Sequence, residues 1–150
     1  MSETKVKREK MFLYLICHNR KDIKTHTYIG ASGNFSRRLK QHNLETPGGP
    51  RITRRAAGNW KAVMILELPS SRKFSSKILK KEWKSSSRGL ESRIRKGFQI
   101  AYKYKVKIYI SKNDQNKIKL LERLNARWDL NHKIKLSENE WKQVIDGDNI

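Results

Sequence analysis

Five side chains, Tyr14, Tyr28, Arg38, His42 and Glu82, stand out because together they supply the groups that phosphodiester hydrolysis requires. That reaction needs an aligned water, a group to take its proton, cationic stabilisation of the pentacovalent phosphorus and, in most cases, a divalent metal held by carboxylate. Tyr28 is a candidate general base, although a phenol with a pKa near ~10 needs a neighbouring cation to act at neutral pH. Tyr14 can align the same water, Arg38 offers a planar fork matched to phosphate oxygens, and His42 can orient Tyr28 or touch phosphate. Glu82 is one of seven acidic residues in the first 110 and suits a single magnesium with its waters. Chemistry alone does not rank Glu82 above Glu67.

The surrounding charge says what the partner is. Lys and Arg number 35 against 14 Asp and Glu, a net charge of +21. Residues 1–110 carry 27 basic and 7 acidic side chains, whereas residues 111–150 carry 8 and 7. The field therefore belongs to the first 110 residues, and nucleic acid is the leading partner, bound with counterion release. Arg37, Lys40, Arg51, Arg54, Arg55, Lys80 and Lys81 are candidate DNA contacts. The single cysteine, Cys17, excludes an intramolecular disulfide and every multi-cysteine zinc arrangement. With no apolar run of membrane-spanning length and a polar start, the chain reads as intracellular, in nucleus or cytoplasm, with no membrane partner.

The elements that must position these groups are legible from pattern. Residues 1–10 read as a loose basic arm. Met11–Cys17 and Thr25–Gly30 have strand character across a polar connection, which suits an antiparallel hairpin. Asn34 is placed to cap a helix from Phe35 to about Gln41, on which Arg38 and His42, four apart, project to one side. Residues 44–59 read as a Pro- and Gly-rich loop, Trp60–Leu68 as a central strand, and Ser71–Lys84 as a helix with Phe74, Ile78, Leu79 and Trp83 along one stripe. Leu90–Phe98 suggests another helix and Tyr104–Ile110 a half-buried strand. Beyond it, Asp114 can cap a helix carrying Ile118, Leu121, Asn125 and Trp128, and Ser137 with Glu140 forms a capping box flanked by Leu136 and Trp141. The expected organisation is an arm (1–10), a catalytic domain (11–110) and a helical extension (111–150), packed on the domain or binding a partner.

Taken in order, Tyr14-Leu15-Ile16, Tyr28-Ile29-Gly30 and the helix Gly33 to Asn43 resemble the GIY-YIG nucleases. Gly58-Asn59-Trp60, Leu68-Pro69-Ser70-Ser71, Glu82-Trp83 and Ser92-Arg93 are similar to landmarks of the structure-specific members that cut flapped and branched DNA. The resemblance covers residues 11–96 and continues more weakly to about 110. It implies a small mixed α/β (α+β) fold, a three-stranded antiparallel sheet flanked by helices. It also implies Tyr14 and Tyr28 at the activated water, Arg38 on the scissile phosphate, His42 in support, and Glu82 on one Mg²⁺ or Mn²⁺. Two departures are plain: Phe12-Leu13 stand where a glycine usually precedes the first tyrosine, and the cysteine-rich zinc domain of the eukaryotic members is missing.

The expectation from sequence is a metal-dependent endonuclease for branched or flapped DNA, serving repair, recombination or replication, with brevity suiting a viral or other mobile genome. A protein scaffold or a homodimer is a possible partner. The alternatives are a homing or restriction-like nuclease of the same fold and a non-catalytic DNA- or RNA-binding protein. A pure binder has no use for Glu82, which repels phosphate unless a cation lies between.

Overall fold

A computed structural model describes residues 10–23, 26–56, 58–68, 75–124 and 133–147. The apolar run Met11–Cys17 forms β1, which pairs antiparallel with β2 (Thr27–Ser32) on one side and with β3 (Lys61–Leu68) on the other. β4 (Lys107–Ser111) adds antiparallel to β3, and β5 (Lys133–Leu136) adds parallel to β4. The sheet thus has five strands in the order β2-β1-β3-β4-β5, where three antiparallel strands were expected. Four residues, Lys-Ile-Lys-Leu, are too short for their own alternation to announce β5, so the last strand is defined by its neighbour.

Strand periodicity divides the core in two. Along β1, Leu13 and Leu15 face one way and Phe12, Tyr14 and Ile16 the other. The first face is covered by α2 (Ser76–Lys84), α3 (Leu90–Tyr104) and α4 (Gln115–Leu124), with Trp83, Phe98 and Leu121 wholly buried. The second is covered by α1 (Phe35–His42), a 3-10 helix (Arg51–Ala56) and α5 (Glu138–Asp146). A bulge in β3 opposite Leu15 and Ile16 inserts Val63, whose carbonyl is taken by Lys117 Nζ at 2.9 Å.

Several expected boundaries move. β2 runs through Gly30 to Ser32, because Gly30 is paired with Tyr14 rather than ending the strand. The expected loop 44–59 contains the 3-10 helix. α2 starts at Ser76, with the Ser75 side chain accepting from the Ile78 N–H; residues 69–74, where an earlier start with Phe74 was expected, lie outside the described residues. α3 continues past Phe98 to Tyr104, displacing the start of β4 to Lys107, because Ile100 and Ala101 extend its buried stripe. The caps hold: Asn34 accepts from Arg37 N–H at 3.0 Å, Asp114 from Lys117 N–H at 3.1 Å, and Ser137 with Glu140 forms the full capping box. Asn125 and Trp128 fall outside the described residues, as does the arm before residue 10. No helix among the described residues is long and apolar enough to cross a membrane.

Candidate active site

The antiparallel register sets Tyr14 directly opposite Gly30 and Ile16 opposite Tyr28. Both tyrosines lie on the α1 face, and the Tyr14 ring lies across Gly30. A Cβ at Gly30 would overlap the Tyr14 hydroxyl and come within 2.9 Å of Tyr28 Cε2. The glycine is therefore required by two aromatic neighbours and not by its backbone angles. Residues Phe12-Leu13 before Tyr14 continue β1 without interruption, one on each core.

α1 brings the other two groups. Phe35, Leu39 and His42 turn inward, with Phe35 5.0 Å from the Tyr14 ring. His42 is wholly buried, and its Nε2 lies 2.6 Å from Tyr14 Oη. On the far side of the imidazole, Nδ1 is 2.9 Å from Thr53 Oγ1, and Thr53 Oγ1 donates to Pro50 O at 3.0 Å. This chain fixes the protons. The single Thr53 hydroxyl proton is committed to Pro50, so Thr53 must accept from His42 Nδ1–H; Nε2 is then the bare acceptor, and Tyr14 must donate to it.

The electrostatics agree with that assignment. Burial, with the Arg38 charge beside it, holds the His42 pKa down at about 4, so the ring is neutral at pH 7. Burial pushes Tyr14 far up, and the neighbouring Tyr28 adds to this, while Arg38 works in the opposite direction. Tyr28 is also raised by burial and lowered by Arg38. Its position differs, however: Tyr14 is 0 % exposed, whereas Tyr28 is half-buried and open to solvent on one side. Tyr28 is consequently the phenol that can meet a substrate, and Tyr14 backs it through His42, whose ring lies 4.9 Å from that of Tyr28.

Arg38, one turn before His42, is half-buried, with NH1 donating to Gln41 Oε1 at 2.9 Å and to Gly48 O at 3.2 Å. Gly48 takes φ +109°, a conformation that glycine tolerates, and this aims its carbonyl at the guanidinium. The loop behind the site is held by Asn43, whose Oδ1 accepts from Gly58 N and Trp60 N and whose Nδ2 donates to Trp60 O. Trp60 Nε1 in turn donates to Thr53 O at 2.8 Å, which seats the 3-10 helix under His42.

Glu82 is placed differently. Its Oε1 accepts from Tyr104 Oη at 2.7 Å and lies 3.6 Å from Lys103 Nζ. On α2, residue 84 is about 200° round the helix from residue 82, and Lys84 Nζ is the group that reaches Tyr28, 5.7 Å from the ring centre. Tyr14, Tyr28, Arg38 and His42 are thus one cluster, while Glu82 is engaged by Tyr104 and Lys103. A hard divalent cation wants oxygen donors and keeps several waters. Glu82 fits as a single carboxylate ligand through Oε2, since Tyr104 and Lys103 both engage Oε1, and no group of three or more His, Cys, Asp or Glu that could hold a metal is found among the described residues.

The expected DNA contacts Arg37, Lys40, Arg51, Arg54, Arg55 and Lys81 are exposed, and Lys80 is half-buried. Arg37, Lys40 and the three arginines of the 3-10 helix rise from the two elements that carry His42 and Thr53. Glu67, the rival carboxylate, is buried in β3 and accepts from Tyr109 Oη at 2.8 Å, which makes it part of the packing. Sequence reasoning missed Thr53, a lone threonine in an arginine-rich loop, and Lys84, one basic side chain among many.

A family model described as the GIY-YIG catalytic domain matches residues 10–89. That is more than half of the chain, and the chain belongs to this family. The domain makes the protein a nuclease acting on DNA, a hydrolase of the phosphodiester bond, in a family that is generally metal-dependent and usually uses Mg²⁺. No curated protein matches the chain.

Proposed function

We propose that the protein is a metal-dependent endonuclease that cuts branched or flapped DNA. The observation that carries the catalytic part is the run Tyr14–His42–Thr53–Pro50 set directly behind the solvent-facing Tyr28 and beside Arg38. The branched-DNA part is supported by the sequence landmarks around Trp60, Glu82 and Arg93.

In this reading Arg38 receives the scissile phosphate: its NH1 is anchored by Gln41 and Gly48, which leaves the rest of the fork for phosphate oxygens. Tyr28 Oη holds the attacking water in line with the phosphorus and accepts its proton while passing its own phenolic proton to the solvent on its open side. Tyr14 cannot act as a free base, because its proton is held at His42 Nε2 and its ring is sealed from solvent. Its work is to fix the Tyr28 ring and keep the imidazole neutral. Glu82 would hold one Mg²⁺ or Mn²⁺ through Oε2, and that ion, when bound, supplies Lewis-acid polarisation of phosphate and water. Charge developing on phosphorus is met by Arg38 within a basic surface.

The test is a substrate panel of 5′-flap, three-way-junction, Holliday-junction and linear duplex DNA, with Mg²⁺ or Mn²⁺. Cutting confined to the branched forms supports the reading, and preferential cutting of linear duplex points to the homing or restriction-like alternative. Binding without cutting of any form points to a non-catalytic binder.

A further inference from the structure

The connection between α2 and α3 holds a cavity of about 540 Å³ lined by Lys84, Ser86, Ser87, Arg88 and Ser92. Every lining residue is a cation or a hydroxyl. Two left-handed residues, Ser86 at φ 59° and Gly89 at φ 78°, fold the chain back sharply to form it. Ser87 Oγ donates to Trp83 O, and Arg93 ties the corner to β2, with NH1 donating to Thr27 Oγ1 at 3.0 Å and Nε reaching Ser87 O at 3.5 Å. The walls of the cavity are therefore fixed to the strand that carries Tyr28.

The charge at this corner is unbalanced. Lys80, Lys84 and Arg88 make no ion pair with a carboxylate among the described residues, while the nearby acids are engaged elsewhere, Glu82 with Lys103 and Glu91 with Arg95. Like charges held together in the absence of an anion raise the free energy of the empty state, and a bound anion relieves it. Lys84 spans both places, lining the cavity and standing over the Tyr28 ring.

We propose that the α2–α3 corner is a phosphate pocket that grips a backbone phosphate of the cut DNA strand other than the scissile one. Lys84 and Arg88 supply the charge, and Ser86 and Ser92 supply hydroxyl donors. Arg38 holds the scissile phosphate and the corner holds its neighbour on the far side of Tyr28, so the strand is fixed at two points across the phenol that aligns the water. The pocket deepens the nuclease reading and rests on it for the identity of the strand, but its anion-binding chemistry is testable without cleavage.

The experiment measures binding of a short single-stranded oligonucleotide to the full chain by fluorescence anisotropy at several salt concentrations. Wild type, Lys84→Ala/Arg88→Ala and the charge-preserving Lys84→Arg/Arg88→Lys are compared with and without single methylphosphonate replacements, each of which removes one phosphate charge. The alanine pair is expected to weaken binding about tenfold or more and to lower the slope of log K against log salt by about 0.7 for one phosphate lost. One methylphosphonate position is expected to weaken wild type and the charge-preserving pair but leave the alanine pair unaffected. Identical salt slopes and methylphosphonate profiles in wild type and alanine pair overturn the pocket. A chain that shows the coupling yet cuts no DNA in Mg²⁺ or Mn²⁺ refutes the proposed function and leaves the pocket standing.

Discussion

Thr53 gives the sharpest expected outcome, because the proton assignment of the site turns on one hydroxyl. Thr53→Val keeps the shape of a side chain that is 1 % exposed and removes only its hydrogen bonding. One buried group then loses its partner, His42 Nδ1–H, while the half-buried Pro50 carbonyl keeps the Thr53 N–H at 3.2 Å. At about 1–3 kcal/mol for one buried polar group left unpaired, the expected loss of stability lies in that range, partly relieved if water enters. The imidazole also loses the acceptor that selects its tautomer, so Nε2–H forms become populated, and Tyr14 can no longer donate to Nε2. Loosening of the pair behind Tyr28 by about 1.4 kcal/mol in the transition state slows single-turnover cleavage tenfold. The assay combines urea unfolding, ¹⁵N spectra of the imidazole, and single-turnover cleavage at saturating enzyme, with Thr53→Ser as the rescuing variant. An unchanged His42 tautomer and rate in Thr53→Val, with stability intact, would show that the relay is not what holds the site.

Four further outcomes follow from the same geometry. Arg38→Ala should abolish cleavage while holding DNA affinity within about tenfold, since one phosphate contact among many is lost; parallel loss of binding in anisotropy would make Arg38 an anchor instead. Glu82→Gln should cut at least a hundredfold more slowly, and titration with Mg²⁺ or Mn²⁺ should fail to restore the rate; equal cutting would remove Glu82 as metal ligand. Gly30→Ala should cost about 1–3 kcal/mol in a denaturant melt by overpacking Tyr14 and Tyr28, with cleavage falling further than stability. Between pH 6.5 and 4 stability should decline: the folded pKa of His42 lies below its unfolded value, so the unfolded chain takes up the proton first. The contribution is full above pH 6.5 and decreases by up to about 3 kcal/mol by pH 4, and the His42→Gln variant should show a flatter profile in the same melts.

The legible parts of this protein are those whose signal is local. Tyr14 lies in a short apolar run of strand length and Tyr28 in a second strand-like segment across a polar connection, and Arg38 and His42 are one helical turn apart behind a readable Asn34 cap, so their convergence follows from pairing one hairpin with one helix. Thr53 was not legible, because its role depends on a 3-10 helix inside a Pro- and Gly-rich stretch, where no period assigns an inward face. Lys84 was hidden by the basic composition that made the partner obvious, since a chain with 35 Lys and Arg offers no contrast between one lysine and the next. β5 escaped for a related reason: it is four residues long and exists as a strand only because β4 offers a free edge. Glu82 was chosen by its order in a motif, and nothing in that order announces the Tyr104 hydroxyl that its carboxylate accepts from.

The most direct test of the central claim is single-turnover cleavage of one flap substrate by wild type and Tyr28→Phe in Mg²⁺, with DNA affinity measured in parallel. If Tyr28 aligns the attacking water, the phenylalanine variant binds DNA as wild type does and cuts at least a hundredfold more slowly. Equal rates from the two proteins would contradict the account.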